Sequence, residues 1–237
     1  MEELYRANFK QAMLLPMPEK TYAKLNKNDE YTCLTVRSGI INKHFTPQQF
    51  ALLASLAEQG AVKYSANHSL LVSVKTEILP QIIEQLTVVG LYVVPPRACA
   101  VLKCCDFCDG DRLEALPIAT ELLNAFEKIP LKRRIRIGFN ACTSACYNAV
   151  QDDVALVYHR GHFDLYAGAI PMGRSASSGK KILTRVPEAH IEEILSVLLE
   201  LYNASQTEKF STFIKRTTTL EGQLQRKLHQ LAEGGQI

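Results

Sequence analysis

Apolar and polar positions change period several times along the chain. Tyr31 to Arg37, YTCLTVR, is rich in β-branched and aromatic residues and predicts a strand, which Ser38-Gly39 breaks. Thr46-Pro47-Gln48-Gln49 supplies an N-cap, a proline for the first helical position and a glutamine at N3. The helix FALLASLAEQG follows and stops at Gly60. Ala61 to Val74, with LLVSV inside it, predicts one or two further strands. Glu77 to Leu86 carries Ile78, Leu79, Ile82, Ile83 and Leu86 at helical spacing, and Gly90 ends that region. Residues 31–95 therefore read as a small α+β unit behind a polar arm over 1–30.

Pro95-Pro96 is a stiff break and the expected domain boundary. Beyond it, Ala98 to Lys103 predicts a strand, Leu116 to Ile129 a helix and Arg133 to Phe139 a strand. Val154 to His159 and His162 to Gly168 predict two more strands, joined by a turn at Arg160-Gly161. Gly168 to Gly179 is Gly/Ser-rich and basic, a loop suited to a ligand. Pro187 to Tyr202 predicts an amphipathic helix with Ile191, Ile194, Leu195, Leu198 and Leu199 on its apolar side. Glu208 to Ala232 predicts a last helical segment. Residues 96–205 thus form a second α+β domain, and 206–237 a helical tail for core packing or a homo-oligomer interface.

Composition adds little to this pattern. A length of 237 residues suffices for a large core, and a net charge of +3 selects no partner class. The longest apolar runs are too short to span a bilayer, and the charged start MEELYRANFKQ has no secretory pattern. The expectation is a cytoplasmic protein that binds neither membrane nor nucleic acid.

The cysteines change the picture. Six of the seven lie between Cys99 and Cys146, as RACAVLKCCDFC and then NACTSAC. In a reducing compartment such groups are metal ligands or redox groups more often than disulfides. Cys108, Cys142 and Cys146, with either Cys104 or Cys105, are the favoured ligands, and Cys99 reads as core. A structural zinc site is the bland alternative, although C-x3-C departs from its usual spacing. Between the clusters, Arg134 and Arg136 alternate with Ile135 and Ile137. Two guanidinium groups on one strand face suit an oxyanion held between them, or a solvated edge strand.

The order of these features resembles the siroheme-dependent sulfite and nitrite reductases. Asn140-Ala141-Cys142-Thr143-Ser144-Ala145-Cys146 stands where that family has S-G-C-P-N-S-C. Asp153-Val154-Ala155-Leu156-Val157 resembles its D-I-G-L-V strand, and Tyr166-Ala167-Gly168-Ala169 is similar to its Y-x-G-G turn. Leu34 to Arg37 and Thr46 to Phe50 resemble the family's ferredoxin-like half-domain. The resemblance spans residues 31–202 and points to a compact, single-repeat member.

The resemblance implies a 4Fe-4S cluster on the cysteines, bridged through Cys146 to siroheme. It implies electrons from a ferredoxin-type donor and an oxyanion substrate, sulfite or nitrite, held by Arg37, Arg97, Arg134 and Arg136. Asn67, His68 and Asn140 stand at cofactor-binding positions, and Arg160, Arg174, Lys180 and Lys181 are candidates to neutralise siroheme carboxylates. Several positions differ from the family pattern. Thr35 replaces an arginine, Asn67-His68 replaces T-x-R-Q, and the cysteine loop lacks its glycine and proline. These differences motivate a second expectation, an iron–sulfur or tetrapyrrole-handling protein on the same fold, as in cobalamin-pathway enzymes.

Overall fold

The computed structural model describes residues 30–39, 44–65, 69–95, 98–127, 129–146 and 150–234. The expected N-terminal arm and the expected site residues Asn67, His68 and Arg97 lie outside these. The chain divides into two compact units. The first runs to Val36 and resumes over Phe45–Val93; the second takes in Arg37 and the chain from Val94 onward.

The first unit holds β1 (Tyr31–Arg37) up to Val36, with α1 (Pro47–Gln59), β2 (Ala61–Tyr64), β3 (Leu70–Lys75), α2 (Leu79–Val88) and β4 (Tyr92–Val93). Its sheet has the order β2-β3-β1-β4, with β3 antiparallel to both β1 and β2. The start of α1 is fixed locally. The Gln49 N–H donates to the Thr46 hydroxyl at 3.2 Å, and the Thr46 N–H donates to Gln49 Oε1 at 3.0 Å. This reciprocal cap satisfies two donors that a helix start leaves unpaired. Val36, Leu53, Leu56, Val72, Ile82 and Leu86 pack as the core of this unit.

The second unit is built on five strands in sequential order: β5 (Ala100–Cys104), β6 (Ile135–Asn140), β7 (Val154–His159), β8 (His162–Ala167) and β9 (Lys180–Pro187). β5, β6 and β7 run parallel, and β8 and β9 return antiparallel. Parallel neighbours require a crossover, which α3 (Leu116–Phe126) supplies between β5 and β6. Strand alternation divides the sheet. Leu102, Cys104, Ile135, Ile137, Phe139, Leu156, Phe163 and Leu165 enter the apolar core. α4 (Ile191–Ala204), α5 (Phe210–Arg216) and α6 (Leu220–Gly234) add Leu195, Leu198, Tyr202, Phe213 and Leu224 to the same core. The C-terminal segment is therefore two helices packed into this unit.

β9, β6 and α3 differ from the sequence expectation. β9 lies where no strand was expected, because a bulge interrupts its alternation. Phe163 pairs with Val186 and Leu165 with Leu183, so Thr184 and Arg185 together oppose Asp164. β6 begins at Ile135, leaving Arg133 and Arg134 ahead of the strand. α3 ends at Phe126, which frees Glu127 to turn toward β5.

On the opposite face of the sheet, Lys103 and Asp152 form a buried ion pair at 3.2 Å. Burial pushes the Asp152 carboxyl up, against the pull of Lys103. The carboxylate lies over Gly138, where a Cβ would meet Asp152 Oδ2 at 2.7 Å. Gly138→Ala is expected to cost about 1–3 kcal/mol through overpacking against the buried pair. A denaturant melt with no loss of stability would refute that close packing.

Candidate iron–sulfur site

Because β5 and β6 are parallel neighbours, their C-terminal ends release two cysteine loops at one edge of the sheet. Open parallel sheets place ligands at such an edge. Here Cys105, Cys108, Cys142 and Cys146 line a cavity of about 160 Å³, together with Arg112 and Asn140. The backbone turns sharply to aim the loops. Phe107 and Cys108 both have φ 52, and Ala145, just before Cys146, has φ 44. Left-handed non-glycine residues cost roughly 1–2 kcal/mol each and persist where the surroundings hold them. Phe107 supplies part of that hold, fully buried and packed 6.0 Å from the Phe139 ring.

Cys105 is tied to both loops. Its sulfur accepts the Ala141 N–H at 3.3 Å. Burial pushes its thiol up, the Ala141 and Phe107 amides pull it down, and Cys142 and Cys146 push it up again. Those last contributions mark three sulfurs as electrostatic neighbours. Cys104 differs although it is adjacent in sequence. It closes β5 with its side chain in the core, and burial raises its thiol far above the ordinary range. The structure therefore places Cys105, not Cys104, on the cavity. Cys99 is also fully buried and does not line it.

Four thiols on one cavity, with a backbone N–H already directed at one sulfur, match the donor set of a 4Fe-4S cluster. Among the described residues, no three His, Cys, Asp or Glu side chains close around one point as they would for a single metal ion. Cys108 and Cys146 are exposed. In metal-free protein, iodoacetamide is therefore expected to reach them first and to spare Cys104, which is both buried and low in thiolate. Peptide mass spectrometry showing Cys104 modified ahead of Cys108 would contradict the placement.

Of the expected anion-holding arginines, the three described are bonded to protein groups. Arg37 is buried, donating through Nη1 to the Leu102 carbonyl and through Nη2 to Glu127 Oε1 at 2.6 Å. Glu127 Oε1 also accepts the Leu102 N–H at 3.0 Å. Arg134 donates to the Pro95 carbonyl at 2.8 Å. Arg136 holds Asp153 Oδ2 through its backbone N–H at 3.0 Å and its side-chain Nε at 3.2 Å. Arg134 stands ahead of β6, and Asp153, at the head of β7, is the anion that Arg136 holds.

The expected carboxylate-neutralising residues do not form one cradle. Arg160 lies at the hairpin end of β7, on the edge that carries the cysteine loops. Lys180 and Lys181 begin β9 at the other edge, about 15–20 Å away by strand length. There they line a separate cavity of about 500 Å³ with Ser177, Ser178 and Lys215. Lys181 is bound to Asp164 at 2.7 Å, and Arg174 is exposed in the intervening loop. Asn140 is buried on the cysteine cavity, with its Nδ2 3.4 Å from the Leu156 carbonyl. Arg160 thus lies at the edge of the cysteine loops, and Lys180 and Lys181 lie at the other. Sequence reasoning missed Arg112, although an arginine four residues after Cys108 was a visible signal. It also missed Glu127, which had no local signal.

No family model matches the chain. Among curated proteins, it is 32% identical over 221 residues to a cobalt-factor III methyltransferase of Priestia megaterium, covering 92% of this chain and 41% of that protein. It is 21% identical over 203 residues to an NAD(P)H nitrite reductase of Bacillus subtilis strain 168, covering 84% of this chain and 25% of that protein. Both relatives are enzymes, and the chain spans less than half the length of either. Solved structures also share its fold. The NirA protein of Mycobacterium tuberculosis superposes with TM-score 0.63 at 14% identity, covering 83% of this chain and 40% of that one. Dissimilatory sulfite reductase I gives TM-score 0.65 at 9% identity, covering 81% and 69%. The chain therefore has the α+β fold of the sulfite and nitrite reductases. Among the described residues, no helix is long and apolar enough to cross a membrane.

Proposed function

We propose that the chain is an iron–sulfur enzyme module that handles a modified tetrapyrrole. Cys105, Cys108, Cys142 and Cys146 would hold a 4Fe-4S cluster, which supplies one-electron chemistry when bound. The observation that carries this reading is the convergence of those four thiols on one cavity. Ala141 N–H orients one ligand sulfur, Asn140 closes the inner wall, and Arg112 brings a positive charge to the mouth, where it would offset thiolate charge. Two relatives support a shared module of this kind. One is named for a cobalt-containing substrate and the other for nitrite, and the two matches overlap over most of this chain. What serves both is more economically a tetrapyrrole-handling fold than either named reaction.

A second reading, oxyanion reduction on siroheme with a ferredoxin-type donor, draws on the nitrite reductase relative and on the fold. Against it stand the arginines, since Arg37, Arg134 and Arg136 are already bonded to protein groups.

Anaerobic purification, followed by iron, acid-labile sulfide and tetrapyrrole determination, tests the proposal. About four irons with matching sulfide, and no sulfite or nitrite consumption with a chemical reductant, support it. Siroheme with rapid sulfite or nitrite turnover would establish the second reading instead. Colourless protein holding zinc would remove both.

A further inference from the structure

The hairpin edge of the second unit carries a cavity of about 310 Å³, distinct from the cysteine cavity. Thr143 of the second cysteine loop, His159, Arg160 and His162 around the β7–β8 turn, and Thr184 and Arg185 of β9 form its wall. Two unrelated backbone distortions shape it. His159 pairs with His162, so Arg160 and Gly161 form a two-residue turn, with φ 48 and 77. Two successive positive φ values belong to the turn that prefers Asn-Gly, and here arginine takes the asparagine position. The second distortion is the β9 bulge, where Arg185 has φ 55. Bulges re-aim side chains, and an arginine in left-handed backbone costs roughly 1–2 kcal/mol. The same unfavourable choice occurs in the β7–β8 turn and on β9, at two walls of one cavity, which is the signature of strain held at a site.

Charge points the same way. Asp164 also lines the cavity, but its carboxylate accepts Lys181 Nζ at 2.7 Å and the Arg185 N–H at 3.1 Å. Arg37, Arg133 and Arg136 each have a carboxylate partner. Arg160 and Arg185 have none among the described residues, and both are exposed at the cavity. Two planar guanidinium forks, with hydroxyls from Thr143 and Thr184, form a donor set for carboxylates.

We propose that this cavity binds carboxylate groups of a small polyanion between Arg160 and Arg185, with Thr143 setting the ligand beside the cysteine loop. The carboxylates would come from the edge of a tetrapyrrole or from a free di- or tricarboxylate; only the first source rests on the proposed function.

Titration calorimetry of the full chain with siroheme and, separately, with citrate distinguishes these sources. The test variant is Arg160→Asn/Arg185→Asn, because asparagine tolerates left-handed backbone and the fold should melt no lower than wild type. Binding of the effective probe is expected to weaken about 100-fold or more in the double variant. In wild type, citrate or siroheme should also slow phenylglyoxal modification of Arg160 and Arg185, a readout that needs no variant. Citrate binding lost in the double variant, without siroheme binding, keeps the cavity and removes the tetrapyrrole reading. Siroheme binding unchanged in the double variant keeps the tetrapyrrole reading and overturns the cavity. Wild-type protein that binds neither probe, or a double variant that binds both unchanged, also overturns it.

Discussion

Cys105→Ser is expected to take the anaerobically purified protein from about four irons per chain to less than one. Cys104→Ser is expected to leave iron and sulfide near wild type. The two residues are adjacent, and their opposite behaviour follows from the alternation of a strand. Cys104 is the last residue of β5 and points into the core, whereas Cys105 begins the loop and accepts the Ala141 N–H at 3.3 Å. Serine at 104 replaces a buried, apolar thiol with a hydroxyl that needs a partner, so it should reduce stability by about 1–3 kcal/mol. The readouts therefore cross: one variant loses metal, the other loses stability. Iron lost from Cys104→Ser and retained by Cys105→Ser would refute the site as drawn.

The second large effect belongs to Arg37. Arg37→Met is expected to cost about 3–5 kcal/mol in a urea melt, since it strands the Glu127 carboxylate in the interior. The Arg37 and Glu127 side chains are 3% and 2% exposed, so water cannot take over the lost contact. Their position explains why the pair exists. β5 is the edge of its sheet, and among the described residues no strand lies beyond the Leu102 N–H and C=O. Glu127 accepts from that N–H and Arg37 donates to that carbonyl, so two side chains occupy the place of a missing strand. Hydrogen exchange at the Leu102 amide should accelerate in the variant. A cost below about 1 kcal/mol, with that amide unchanged, would remove the structural role and return Arg37 to anion binding.

What the sequence made legible divides by range. The α1 cap is written within four residues, Thr46 to Gln49, and forms as those residues predict. The cysteine loops were readable because strand, loop and helix signals lie beside each cysteine. The partners of the arginines were not. Glu127 lies 90 residues from Arg37, and nothing local in either stretch marks the other. Asp153 was read as part of a motif, and its hydrogen bonds to Arg136 depend on β6 and β7 being neighbours. β9 went unread because a two-residue bulge places Leu183 and Val186 on the core face three positions apart, which is helical spacing. The choice between Cys104 and Cys105 required the end of β5 to within one residue, finer than pattern alone resolves.

The parity of β5 has a consequence for how the chain tolerates length changes. Leu102 and Cys104 face the core, and Lys103 lies buried on the other side against Asp152. Sliding β5 by one position along β6 would drive the Lys103 ammonium into the oily layer, expel Leu102 and deliver the wrong cysteine to the cavity. Three penalties would arrive together from a single slip, so misregistered chains are disfavoured before any metal arrives. A one-residue deletion within β5 should therefore abolish folding outright, whereas removal of two residues would keep the strand's sidedness.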